Sequence, residues 1–258
     1  MGISLLKTLL SVWAYDFQGR IGLGYSISDE ALRLAEESGD IYSRAFGYTF
    51  HGYSCYCKGF LERAEEHLLK GIAFSEGIDL PSTFSFGYIW LGDTYFDMGE
   101  YERSQDCYKK AISRLEQSRL FPSFVNMSKI ALARTRVMNN EMDVDLEALY
   151  RYEAENKLRV FDGWMSRYIG EILLNIDEKH ISEAEHWIQR AIEADKRNGM
   201  LFHLGTDYAA YAELFKRKGD TQKAKENLSK AIETYKECEA DGWVEKAEKE
   251  LKGFSRKK

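Results

Sequence analysis

The sequence predicts an all-α fold, a right-handed superhelical solenoid of about six helix-turn-helix repeats with a C-terminal capping helix. Three features of the chain predict it. A small residue recurs every 40 positions, at Gly24, Ala64, Ser104, Val144, Ala184 and Ala224. Around each lies the same arrangement of large and small residues at offsets of three and four, the spacing of one helical face. Between the two helical segments of five copies stands a residue suited to a helix reversal: Gly19, Gly59, Gly99, Asn139 and Gly219, with Lys179 in the remaining copy. Such a residue ends a helix in the left-handed conformation, which Gly adopts freely and Asn tolerates. Two helices per repeat cannot bury their apolar faces alone, so the copies must stack.

The copies occupy 5–40, 41–80, 81–120, 121–160, 161–200 and 201–240 of a single domain, followed by the cap at 241–254. In the first, the apolar run 3–15 lacks a basic leader and a small-residue cleavage site, and it aligns with the first helix of the repeat. The second reads Tyr48, His51, Gly52 and Cys55, then Ala64, Leu68 and Gly71. The third reads Tyr88, Leu91, Gly92 and Tyr95, then Ser104, Tyr108 and Ala111. In the fourth, Ser128, Ala131, Leu132 and Thr135 precede Val144, Ala148 and Arg151. Its missing large residues suggest a weakly packed joint. In the fifth, Glu171 and Asn175 stand where apolar residues belong. The sixth reads Tyr208, Tyr211, Ala212 and Phe215, then Ala224, Leu228 and Ala231. Pro81 and Pro122, the only prolines, fall just before a first helix, where proline is compatible with initiation. In the cap, Trp243, Ala247 and Leu251 are spaced by four, so a final helix is expected to lay Trp243 over the last repeat.

These residues resemble the tetratricopeptide repeat family. Tyr88, Leu91-Gly92, Tyr95, Ser104, Tyr108 and Ala111 follow its pattern of a large residue, Leu-Gly, an aromatic, then Ala, an aromatic or Leu, and Ala. The family's usual period is 34 residues; the 40-residue form here is similar to the C-terminal repeat domains of bacterial signalling ATPases, nucleotide cyclases and large transcription activators. The Gly242-Trp243, Ala247, Leu251 ending is similar to theirs.

Several function classes are excluded or disfavoured. No Walker loop, dinucleotide turn, HExxH or GxSxG occurs, so no catalytic residue and no cofactor is assigned. His51, His67, His180, His186 and His203 are scattered. His51 takes an inward Leu position and is expected to be packed and hydrogen-bonded, and no metal site is assigned. The net charge of −6 disfavours nucleic acid. The basic Ser255, Arg256, Lys257 and Lys258 read as a solvated tail. No run is long enough to span a membrane. Cys55, Cys57, Cys107 and Cys238 have neither CxxC spacing nor a disulfide framework, which suits a reduced, cytoplasmic protein.

The resemblance implies a concave groove lined by the first helices. Carried over position by position, it would comprise Leu6, Leu9, Trp13 and Asp16, then Phe46, Thr49, Tyr53 and Tyr56, then Phe86, Ile89, Asp93 and Phe96. Asn126, Lys129 and Arg136 would make the next step basic, followed by Thr206, Glu213 and Lys216. The aromatic members are equally explained as core. As a groove they suit an extended peptide or helix bearing an acidic group. The expected function is a non-catalytic protein–protein or peptide interaction scaffold, the regulatory or sensory repeat domain of a larger bacterial signalling protein. The alternative is a free-standing adaptor or receptor for a small peptide signal. The first helix begins without a polar cap, which suggests upstream sequence or a homodimer through the N-terminal repeat.

Overall fold

The computed structural model describes residues 2–119 and 121–254. Among the described residues there are thirteen α-helices and no strand. Helix α1 (Gly2–Leu10) runs on through a π-helical turn, Ser11–Tyr15, and a 3₁₀ turn, Asp16–Gln18, and pairs with α2 (Ile21–Ser38). The next pairs are α3 (Ile41–Lys58) with α4 (Leu61–Gly77), and α5 (Pro81–Met98) with α6 (Tyr101–Ser118). Then come α7 (Pro122–Met138) with α8 (Leu146–Ala154), α9 (Asp162–Ile176) with α10 (Ile181–Asn198), and α11 (Leu201–Arg217) with α12 (Thr221–Glu237). Helix α13 (Asp241–Gly253) ends the series. Both prolines stand at the first residue of their helices. The basic residues 255–258 lie outside the described residues.

The small residues let large ones in. A Cβ on Gly52 would lie 2.7 Å from Leu68, and one on Gly92 would lie 2.9 Å from the Tyr108 ring. Gly19, Gly59, Gly99 and Gly219 all reverse the chain at positive φ. In the fourth repeat the left-handed residue is Asn140 and not Asn139, a shift of one position. The fifth repeat turns through a 3₁₀ segment, Glu178–His180, after the Asp177 carboxylate caps the Lys179 amide.

Repeat four departs most from the series. Its second helix, α8, has 9 residues against 18 in α6, and Val144 lies ahead of it, half-buried. The first helix α7 compensates by packing directly on α9. Phe124, Met127, Ile130 and Ala131 are all buried there. Repeat five keeps its polar residues by pairing them: Glu171 meets Arg134 and Asn175 accepts from Arg217.

The two ends of the series meet. Trp243 packs edge-on or tilted against Phe202 and Tyr235 of the last repeat, as a cap should, but also edge-on against Tyr56 of the second. Lys58, at the end of α3, donates to the Glu239 carbonyl and the Asp241 carboxylate. Gly59 and Gly242 touch so closely that a Cβ on Gly242 would lie 2.5 Å from the Gly59 oxygen. Gly19 sits equally tightly on Leu201. The solenoid is therefore wound closed around its own axis.

Candidate functional site

Because the ends meet, the first helices of non-adjacent repeats face one another across the solenoid axis, a channel filled by buried side chains. At one end, aromatic side chains fill it. Tyr53 lies 4.5 Å from Trp90, Phe86 4.8 Å from Phe124, and Phe124 4.7 Å from Phe161, between ring centroids. Trp13, from the first repeat, reaches both Phe86 and Phe124, at 6.4 and 6.5 Å. Edge-to-face and offset contacts of this kind add to the burial of apolar area.

Further along, the channel becomes ionic. Asp93 accepts a 2.7 Å hydrogen bond from Tyr108 and a second from Tyr168 of α9. Burial outweighs those bonds and the nearby Arg134 charge, pushing the Asp93 pKa up to about 6. The Arg134 guanidinium lies between the Phe96 and Tyr168 rings, at 3.4 and 4.2 Å, and pairs with Glu171. Arg167 donates 2.8 Å to Asp207. Asp195 fills the space beside Gly163, where a Cβ would lie 2.1 Å from its carboxylate oxygen. Burial and the neighbouring Asp207 charge both raise the Asp195 pKa. His203 stacks 4.4 Å from Trp164, and burial followed by the Arg167 charge keeps it neutral. The Asp195 and Asp207 carboxyls hydrogen-bond each other, while Asp93 Oδ2 and both His203 ring nitrogens are buried without a hydrogen-bond partner. Such atoms cost free energy unless something completes them.

The channel opens in a cleft of about 160 Å³ where α5, α7, α9, α11, α12 and α13 converge. Asp97, Arg134, Glu171 and Thr206 line one side, and Trp243 and Lys246 the other. Tyr56 donates to Asp97 at 2.9 Å, and Lys246 lies 3.7 Å from the same carboxylate.

The residues read from sequence divide into two places. Tyr53, Tyr56, Phe86 and Ile89 are buried in the channel, Phe96 packs on Arg134 at its mouth, and Trp13 stays 39% exposed. Phe46 is half-buried against Phe50 on α3. The basic residues go elsewhere. Lys129 pairs with Glu116 and Arg136 with Glu141, at 2.7 and 3.0 Å, and both line an outer cleft of about 400 Å³ between α6, α7 and α8. Asn126 turns toward the Tyr152 carbonyl. The structure thus brings the aromatic residues together without the Lys129/Arg136 pair. The cations that do reach the channel are Arg134 and Arg167, which sequence reasoning missed. Glu171 was the available signal, since a carboxylate at an inward position demands a partner. Also unforeseen is the convergence of His51, Cys55 and His67, whose ligand-capable atoms lie within 4.8 Å of one another.

Comparison with known proteins follows the same lines. The tetratricopeptide repeat profile matches residues 87–114 and 208–238, the third and sixth copies. No curated protein sequence matches. Among solved structures, the apo form of RapI superposes with a TM-score of 0.67 at 14% identity, covering 92% of this chain and 85% of that one. A Rap protein complexed with Competence and Sporulation Factor superposes at 0.62 and 11% identity, covering 92% and 71%. A signal transduction ATPase with a tetratricopeptide repeat sensor, from Pyrococcus horikoshii, gives 0.51 at 18% identity, covering 97% of this chain and 39% of that one. At these identities the likeness is one of fold. No helix among the described residues is long and apolar enough to cross a membrane. The profile thus matches two of the six copies, and the chain shares the helical-repeat solenoid fold of these structures.

Proposed function

We propose that the chain is a non-catalytic scaffold that takes up a protein or peptide segment at the mouth of its axial channel, as the regulatory or sensory repeat domain of a signalling protein. One observation carries the reading: the charged side chains of Asp97, Arg134, Glu171 and Lys246 line a cleft beside Trp243 at the end of the axis. A purely structural axis is more stable when filled with close-packed apolar side chains. A channel that keeps fixed donors and acceptors is suited to a ligand that completes them. The fold shared with a Rap protein complexed with Competence and Sporulation Factor supports the same reading by analogy. The alternative form of this function is a receptor for a small peptide signal, of which a cleft of about 160 Å³ would take one or two side chains.

Peptides selected by display against the whole chain provide the test. Ala210→Trp at the mouth is expected to weaken them by about tenfold or more, or about 1.4 kcal/mol. Glu102→Ala on the exposed face of α6 serves as the control. Selected peptides that bind both variants like wild type would remove the channel mouth from consideration.

A second contact surface is favoured by α1. Ile3, Leu6, Leu10 and Trp13, at successive spacings of three, four and three, are 69, 59, 41 and 39% exposed. An apolar stripe of this kind supports a contact with another surface, and a homodimer through the N-terminal repeat covers it most simply.

A further inference from the structure

We propose that His51, Cys55 and His67, with Asp29 as the fourth ligand, form a binding site for a borderline-soft divalent cation of the zinc class. The four residues come from three helices of adjacent repeats. His51 and Cys55 stand one turn apart on α3 and share a face. His67 faces them from α4 and Asp29 from α2.

One edge of the cluster has the spacing of a coordination sphere, and the three His and Cys ligand atoms lie within 4.8 Å of one another. The His51 Nε2 to Cys55 Sγ distance is 3.6 Å. Zinc bonds of ~2.3 Å to sulfur and ~2.0 Å to nitrogen, at a tetrahedral angle, give an S···N edge of about 3.5 Å. Asp29 Oδ1 lies 3.8 Å from the same Nε2.

The hydrogen bonding orients His51 for ligation. Ser28 Oγ gives its single hydrogen to the Tyr25 carbonyl, at 2.9 Å. With that hydrogen so placed, its 2.8 Å contact with His51 Nδ1 is a bond donated by the imidazole. This tautomer carries the proton on Nδ1 and leaves the Nε2 lone pair free toward Cys55 and Asp29. A ligating histidine in a metal site is held in the same way, by an outer N–H bonded to an acceptor. His67 is fixed as well, stacked on Tyr48 and edge-on to His51 with centroids 4.9 Å apart. Its Nδ1 is buried with no hydrogen-bond partner. A simple S–H···Nε2 bond would account for Cys55 and His51 and would leave the His67 nitrogen without a partner, while Asp29, 69% exposed, can swing in from solvent.

Charge and softness narrow the ion. One thiolate, one carboxylate and two neutral imidazoles around a dication sum to zero, which suits a half-buried site. A thiolate with two imidazoles selects zinc-like ions over magnesium and calcium, which prefer all-oxygen shells.

Titration of the whole chain with cobalt(II) tests the site. One equivalent is expected to produce a thiolate-to-cobalt charge-transfer band and the intense visible bands of a tetrahedral ion, both discharged by zinc. Cys55→Ser should abolish the charge-transfer band, with Cys57, Cys107 and Cys238 still in place. Asp29→Asn and His67→Gln lie at the less buried edge, and each should weaken cobalt binding by about tenfold or more. Their metal-free circular dichroism melts should match wild type, which separates lost ligation from lost folding. The proposal is overturned if folded wild-type protein gives no tetrahedral spectrum, if the charge-transfer band survives Cys55→Ser, or if both edge variants bind cobalt like wild type.

Discussion

The indole nitrogen of Trp243 donates a 2.9 Å hydrogen bond to the backbone carbonyl of Tyr56, 187 residues earlier in the chain. This bond joins the final helix to the second repeat and makes the solenoid a closed body. Around it lie Gly59 against Gly242 and Lys58 between Glu239 and Asp241.

Closure should therefore be separable from folding of the repeats. Trp243→Ala removes a buried aromatic and is expected to cost about 3–5 kcal/mol in urea denaturation. Gly242→Val introduces side-chain atoms into a gap where even a Cβ meets backbone at 2.5 Å. That variant should expand the radius of gyration in small-angle scattering and raise hydrogen exchange at the end of α3, while keeping its helical circular dichroism. An unchanged radius would show that the ends are held by other contacts.

Asp93 sets a pH dependence whose sign follows from its raised pKa. Its folded value of about 6 exceeds the ordinary aspartate value of 3.8, so the folded state binds the proton more tightly. Its contribution is fully present below the unfolded pKa and falls as pH rises through about 6. At ~1.4 kcal/mol per unit the loss is about 3 kcal/mol. Asp93→Asn keeps an acceptor for Tyr108 and Tyr168 and should flatten this part of the stability profile. Denaturation midpoints between pH 4 and pH 7, about the interval bracketed by the two values, would show a shallower slope in the variant than in wild type, with Asp195 and Asp207 contributing in both.

The Arg134–Glu171 pair, enclosed by Phe96 and Tyr168, should behave as a unit. Arg134→Met leaves a buried carboxylate with only Arg167, 3.8 Å away, and is expected to cost about 3–5 kcal/mol. Adding Glu171→Leu should restore part of that loss. A double-mutant cycle with additive terms would show that the two side chains are not coupled.

The stripe on α1 predicts concentration-dependent self-association. Light scattering should report a dimer for wild type and a monomer for Leu6→Glu, whose side chain is too exposed for the change to disturb the core. A wild type that stays monomeric across the micromolar range would exclude the homodimer.

The sequence by itself determined the helices, their pairing and most of their turns. These are local properties: a 40-residue period, apolar residues on one face, Gly at the reversals and Pro at the starts of α5 and α7. It showed that repeats four and five were irregular, but not that α8 would shorten or that Glu171 would find Arg134. The nearest neighbours of those residues belong to other repeats, and no spacing within one copy encodes them. Only the tertiary structure decided how tightly the pairs wind, and so that Trp13, Tyr53, Phe86 and Phe124 fill the axis. It likewise decided that Lys129 and Arg136 face an outer cleft while Arg134 faces inward. On a helix, residues two apart point in nearly opposite directions. Which direction is inward depends on the small rotation between successive repeats, summed until α13 meets α3.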